Sequence, residues 1–249
     1  CVRALGRPSI DPGFTKIIRY IQKVLPISAL RSGSIVAREF LMQTISQESQ
    51  ELKFDKSPFQ EDTQLKDKGF RIESISYPGR NEDGEEVSFI FFHGGALSIC
   101  DSADLLLCQR LLPLISHFCN DAEVKMYSVL YTTKLHSEKR DKGTWATVQR
   151  EIFEGYSMVE KAVKGKNPNG KLAAIVGDSA GGYLSLCLGL QLVHLNHAHV
   201  PSLALISPWL NCFTGDRYST LTSQAQYQDD ILHDTFIQSS LTNYWADVN

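Results

Sequence analysis

The feature that most constrains this chain is Gly177-Asp178-Ser179-Ala180-Gly181-Gly182, set between two apolar stretches of different length. The run Leu172–Val176 is short and reads as a buried strand, whereas Ala180–Leu195 has the length of a helix. A serine placed between glycines at such a strand-to-helix turn is held in a strained backbone conformation with its hydroxyl presented at the end of a sheet. Glycine stands at 177 and 181 because a side chain there would collide with the neighbouring strand or helix. The start of the helix also brings backbone N–H groups and the positive end of the helix dipole beside the hydroxyl. Ser179 is therefore the expected nucleophile.

The rest of the chain alternates in the same way. Arg71–Tyr77 alternates apolar and polar residues and predicts a half-buried strand. Val87–Phe92, after the acidic turn Asn81–Glu86, predicts a buried strand. A helix over Ser102–Phe118, a strand over Val124–Tyr131, a helix over Thr147–Val163 and a strand over Leu203–Ile206 follow, with a last helix expected over Ile231–Trp245. Strands alternating with helices predict an α/β fold, a mostly parallel central sheet with helices on both faces. Residues 46–69 are polar and read as loop. Near the start, Phe14, Ile17, Ile18, Ile21, Val24 and Leu25 form one helical stripe, with Lys16, Arg19 and Lys23 off it and Pro26 ending it. A basic amphipathic helix of this kind either covers the core or lies on a membrane surface. The expected division is an N-terminal helical cap or lid over residues 1–69, then the core over 70–249, with a cap-like insertion from 211.

A second motif, His93-Gly94-Gly95-Ala96, ends the strand Val87–Phe92 and precedes Ser179 by 86 residues. The backbone N–H groups of Gly94 and Gly95, with that of Ala180, are expected to form an oxyanion hole for the tetrahedral intermediate of acyl transfer. Together the two motifs resemble the hormone-sensitive-lipase-like branch of the α/β-hydrolases, which carries His-Gly-Gly-Gly and Gly-Asp-Ser-Ala-Gly-Gly. Ser207-Pro208-Trp209-Leu210 is similar to the segment that follows the next strand in that branch, and Val129-Leu130-Tyr131 resembles the strand leading to its Tyr-x-Leu loop. The resemblance runs from Phe70 to Trp245. It implies the α/β-hydrolase fold and a serine esterase or lipase that acts on a small lipophilic ester through an acyl-Ser179 intermediate, with no metal or other cofactor. His93, Gly177, Asp178, Gly181 and Gly182 would support the motifs. The elbow helix and the Ser-Pro-Trp-Leu segment look most like fungal steryl acetyl hydrolases, which implies an acetylated sterol as substrate and an endoplasmic-reticulum anchor upstream of Cys1.

The sequence departs from the branch at three points. Ala96 stands in place of the third glycine, and Thr132–Gly143 replaces the usual Pro-Glu-rich loop. The triad acid and histidine are missing from their places. In this fold they follow the serine in the order acid, then histidine, and only 70 residues remain after Ser179. Asp229, Asp230, His233 and Asp234 crowd the start of a helix, where Asp229 and Asp230 suit the dipole. His194, His197 and His199 follow the elbow helix and precede the wrong strand. The expectation is that the chain is a fragment, lacking the C-terminal part of the fold and with it the general base. The alternative is a hydrolase-fold protein that does not catalyse and binds a small apolar ligand.

Composition excludes other classes. The chain has 249 residues, 43% of them hydrophobic and 21% charged, too apolar for disorder. A net charge of −3 offers no footprint for nucleic acid. Residues 1–31 hold six basic residues against one acidic, and residues 48–86 hold eleven acidic against six basic, which reads as solvated faces. The cysteines Cys1, Cys100, Cys108, Cys119, Cys187 and Cys212 contain no CxxC pair and no zinc spacing, which favours a reducing, intracellular compartment.

Overall fold

The computed structural model describes residues 53–55, 70–80, 86–95, 97, 105–133 and 145–210. Six strands form one sheet: β1 (Lys53–Asp55), β2 (Arg71–Tyr77), β3 (Val87–Phe92), β4 (Val124–Leu130), β5 (Leu172–Asp178) and β6 (Ser202–Ile206). Three helices join them: α1 (Leu105–Phe118), α2 (Trp145–Lys166) and α3 (Ala180–His194). The strand order is β1-β2-β4-β3-β5-β6. β3 runs parallel to β4 and β5, and β5 parallel to β6, while β2 is antiparallel to both β1 and β4. The expected mostly parallel sheet with helices on both faces is present.

β3 lies at the centre with both faces covered, so its sequence is apolar at every position but Ser88 rather than an alternation. Ile90 and Phe92 face the cluster formed with α2 and α3, through Ile152, Tyr156, Leu184 and Leu188. Phe89 and Phe91 face the other cluster, where Leu112 of α1 packs with Ile75 and Met126. From β3 the chain crosses to β4 on one side, then back over to β5 on the other. Parallel α/β sheets open their crevice outside the carboxyl ends of the strands, where the crossovers diverge in this way.

The structure corrects the sequence reading at element ends and at one strand. Lys53–Asp55, inside the stretch read as polar loop, is β1; it pairs Lys53 with Ser76 and Asp55 with Ser74. Three residues are too few to show a period of two, and exposed Lys53 and Asp55 suit an edge strand that must not recruit another chain. β5 extends two residues past Val176, because Gly177 and Asp178 pair with Leu205 and Ile206 of β6. The Phe14–Leu25 and Ile231–Trp245 helices, the N-terminal cap over residues 1–69 apart from Lys53–Asp55, and the insertion from 211 lie outside the described residues. Among the described residues, no helix is long and apolar enough to cross a membrane.

Candidate active site

Ser179 joins β5 to α3 with φ 50° and ψ −116°, a region that costs a non-glycine residue about 1–3 kcal/mol. Backbone bonds from outside the turn hold it there. Its N–H donates to the Ile206 carbonyl at 2.9 Å, and its carbonyl accepts from the Trp209 N–H at 2.8 Å and the Tyr183 N–H at 3.3 Å. The Ser-Pro-Trp-Leu segment therefore forms part of the elbow's scaffold. Close approach explains the flanking glycines. A Cβ on Gly177 would run into the Gly181 carbonyl and the Ser185 hydroxyl, and one on Gly181 into the Phe92 carbonyl. Ala180 is the first residue of α3, so its N–H has no acceptor within the helix.

The His93–Gly95 turn follows β3, and the parallel register of Phe92 with Gly177 sets it beside Asp178 and Ser179. The sequence reading placed these two motifs at one end of the sheet, and the topology brings them together there. His93 is buried, 1% exposed, and its Nδ1 lies 2.8 Å from the Gly94 carbonyl. A carbonyl only accepts, so Nδ1 carries the proton. The imidazole stacks on Tyr131 at 4.2 Å with 8° between the planes, and the Tyr131 hydroxyl donates to the His93 carbonyl at 2.7 Å.

Gly94 departs from expectation. Its N–H does not face a hole but donates to Asp178 Oδ1 at 2.7 Å. The residue beside the nucleophile supplies a carboxylate within reach, and a carboxylate is a stronger acceptor than a neutral group. Gly95 is half-buried with φ 96°, in the left-handed region that favours glycine. Ala96 lies outside the described residues.

Two side chains to which sequence reasoning gave no role support this end of the sheet. Tyr131, noted there only as the end of a strand, is one. The other is Glu151 of α2, 2% exposed, which accepts the Thr132 N–H at 2.6 Å and the Thr132 hydroxyl at 2.7 Å. Burial pushes its carboxyl above the ordinary range, against the pull of the Thr132 bonds. A signal existed: Glu151 lies on the same helical stripe as buried Val148, Ile152 and Gly155, and an acid on an apolar stripe needs a partner.

The described histidines of the C-terminal half sit at the far end of the sheet. His194 closes α3, His197 Nδ1 bonds the His199 carbonyl at 2.8 Å, and His199 Nε2 bonds the Leu172 carbonyl at 3.1 Å. Leu172 begins β5 and Ser179 follows its end, a separation of roughly 20 Å at strand rise. None of the three reaches Ser179. His136, Asp229, Asp230, His233 and Asp234 lie outside the described residues.

A serine held at positive φ between a parallel strand and a helix, beside a glycine turn from the neighbouring strand, defines a nucleophile-elbow α/β protein. Residues 89–248 match the family described as having the alpha/beta hydrolase fold, and the chain belongs to it. No curated protein matches the sequence. Solved structures of similar fold include an esterase of Pyrobaculum calidifontis (18% identity, TM-score 0.61, covering 94% of this chain and 70% of that one). One of two fungal esterases of Rhizomucor miehei is also similar (17% identity, TM-score 0.59, 93% and 68%). So is a hormone-sensitive lipase from a metagenome library (16% identity, TM-score 0.57, 96% and 70%).

Proposed function

We propose that this protein hydrolyses a carboxylic ester of a lipophilic alcohol through an acyl-Ser179 intermediate. The observation that carries the reading is the Ser179 backbone, φ 50° and ψ −116°, at the end of β5 beside the turn that follows β3. Ser179 Oγ attacks the ester carbonyl as a base takes its proton, and the tetrahedral intermediate collapses by breaking the bond to the alcohol, which leaves with a proton. Water then attacks the acyl-serine and frees the acid. The N–H groups of Gly95 and Ala180 hold the oxyanion. The base is a histidine by resemblance to the branch, and none of His194, His197 and His199 stands near enough to serve. Likeness of the elbow helix and the Ser-Pro-Trp-Leu segment to fungal steryl acetyl hydrolases supports an acetylated sterol as the substrate.

Labelling tests the reading. A fluorophosphonate needs an activated serine. In the full-length protein it is expected to label Ser179, to leave Ser179→Ala unlabelled, and to block release of acetate from a steryl acetate. Absence of labelling would instead favour a non-catalytic protein that binds an apolar ligand.

A further inference from the structure

Two bonds that meet at the turn after β3 act on a single peptide plane. The His93 carbonyl and the Gly94 N–H belong to the same peptide unit, and in a trans peptide they point in opposite directions. The Tyr131 hydroxyl takes the carbonyl and the Asp178 carboxylate takes the N–H, each at 2.7 Å. Tyr131 directly follows β4 and Asp178 ends β5, the strands on either side of β3. The plane is therefore gripped from both flanks and cannot rotate without breaking a bond. Stacking of His93 on Tyr131 adds a third restraint. The next plane is set in turn: His93 Nδ1–H holds the Gly94 carbonyl, so the Gly95 N–H on the same plane points the other way.

We propose that Asp178 and Tyr131 are positioning residues for acyl transfer. They commit the His93–Gly94 peptide to the scaffold and thereby aim the Gly95 N–H at the oxygen that becomes negative in the transition state. The inference rests on the esterase reading and gives the elbow's own Asp178, with Tyr131 from outside it, a role in aiming a donor on the neighbouring loop. Neither side chain touches the ester. Their effect reaches the reaction only through the direction of a backbone donor, and that direction matters more in the transition state than in the ground state.

The experiment compares Asp178→Ala, Asp178→Asn and Tyr131→Phe in the full-length protein. Removing one oxyanion donor costs about 10²–10³ in kcat, so misaiming one in Asp178→Ala is expected to cost about 30-fold in kcat with KM within about twofold. Affinity for a trifluoromethyl ketone, which forms a tetrahedral oxyanion on serine, is expected to fall in step with kcat. Asp178→Asn keeps an oxygen acceptor for the Gly94 N–H and is expected to recover most of the loss. Tyr131→Phe keeps the stack and loses one hydrogen bond, which is expected to lower kcat about fivefold. The proposal is overturned if Asp178→Ala keeps kcat near wild type, if only KM changes, or if Asp178→Asn is no better than Asp178→Ala. Hydrogen exchange of the Gly94 amide separates this proposal from the esterase reading. Should the wild type hydrolyse no ester, that reading has failed, and the positioning role is then judged by exchange. Protection lost in Asp178→Ala and kept in Asp178→Asn supports it; equal protection in all three proteins overturns it.

Discussion

Strain at one residue and burial of another define what single substitutions should do. Ser179 occupies positive φ without being glycine, so part of its conformational cost is relieved by removing Cβ. Ser179→Gly and Ser179→Ala both lose the hydroxyl, and the glycine variant is expected to be the more stable by about 1 kcal/mol in denaturant unfolding. Glu151 makes a second case. Glutamine at 151 can accept the Thr132 N–H through its oxygen and donate its amide to the Thr132 hydroxyl, whereas Glu151→Leu orphans a part-buried N–H, at a cost of about 1 kcal/mol. The folded-state pKa of Glu151 is raised above its ordinary 4.5. The native state therefore binds the proton more tightly than the unfolded chain, and stability falls as pH rises through that interval. Wild type is expected to gain on Glu151→Gln as pH is lowered from neutral towards the ordinary carboxylate value. Melting temperatures of both proteins along a pH series measure the difference.

At the scale of elements, α3 positions the nucleophile and shows where periodicity stops being informative. The helix is apolar almost all round, so its sequence names no buried face. Packing chooses one: Leu188 is 0% exposed and Leu190 is 61% exposed. Leu188→Ala is expected to cost about 2–5 kcal/mol in unfolding free energy, the range for emptying a buried leucine site. Leu190→Ala should stay within about 1 kcal/mol of wild type, as surface changes do. Equal losses at the two positions would place the helix wrongly. β6 and the turn after it serve the same purpose, since Ile206 and Trp209 bond both polar groups of the Ser179 backbone.

At the scale of the molecule, large apolar side chains are exposed among the described residues: Leu190, Val193 and Leu195 on or just after α3, Leu203 and Ile206 on β6, and Leu114 and Phe118 on α1. Contiguous exposed apolar area drives association, and a strand with exposed apolar residues at a sheet edge adds to it. The protein is expected to self-associate in light scattering as concentration rises. The double substitution Leu190→Glu with Val193→Lys should reduce that association while leaving the far-ultraviolet dichroism unchanged. Association unaffected by the charges would locate its cause elsewhere.

The sequence alone was enough for whatever depends on neighbours along the chain. β3 spans the same residues in sequence and structure, and the elbow is legible because strand, glycine, serine and helix are consecutive. The edge strand β1 was not, because the three residues Lys53-Phe54-Asp55 are too few to establish a period. Nor was the fate of the Gly94 N–H, whose acceptor stands 84 residues away, or the grip of Tyr131 on His93, 38 residues apart. Those partners meet because β4 and β5 flank β3, an order that no local pattern encodes. The same order sends His197 and His199 to the opposite end of β5 from Ser179. A backbone donor goes to the strongest acceptor within reach, and only the tertiary structure sets what is within reach.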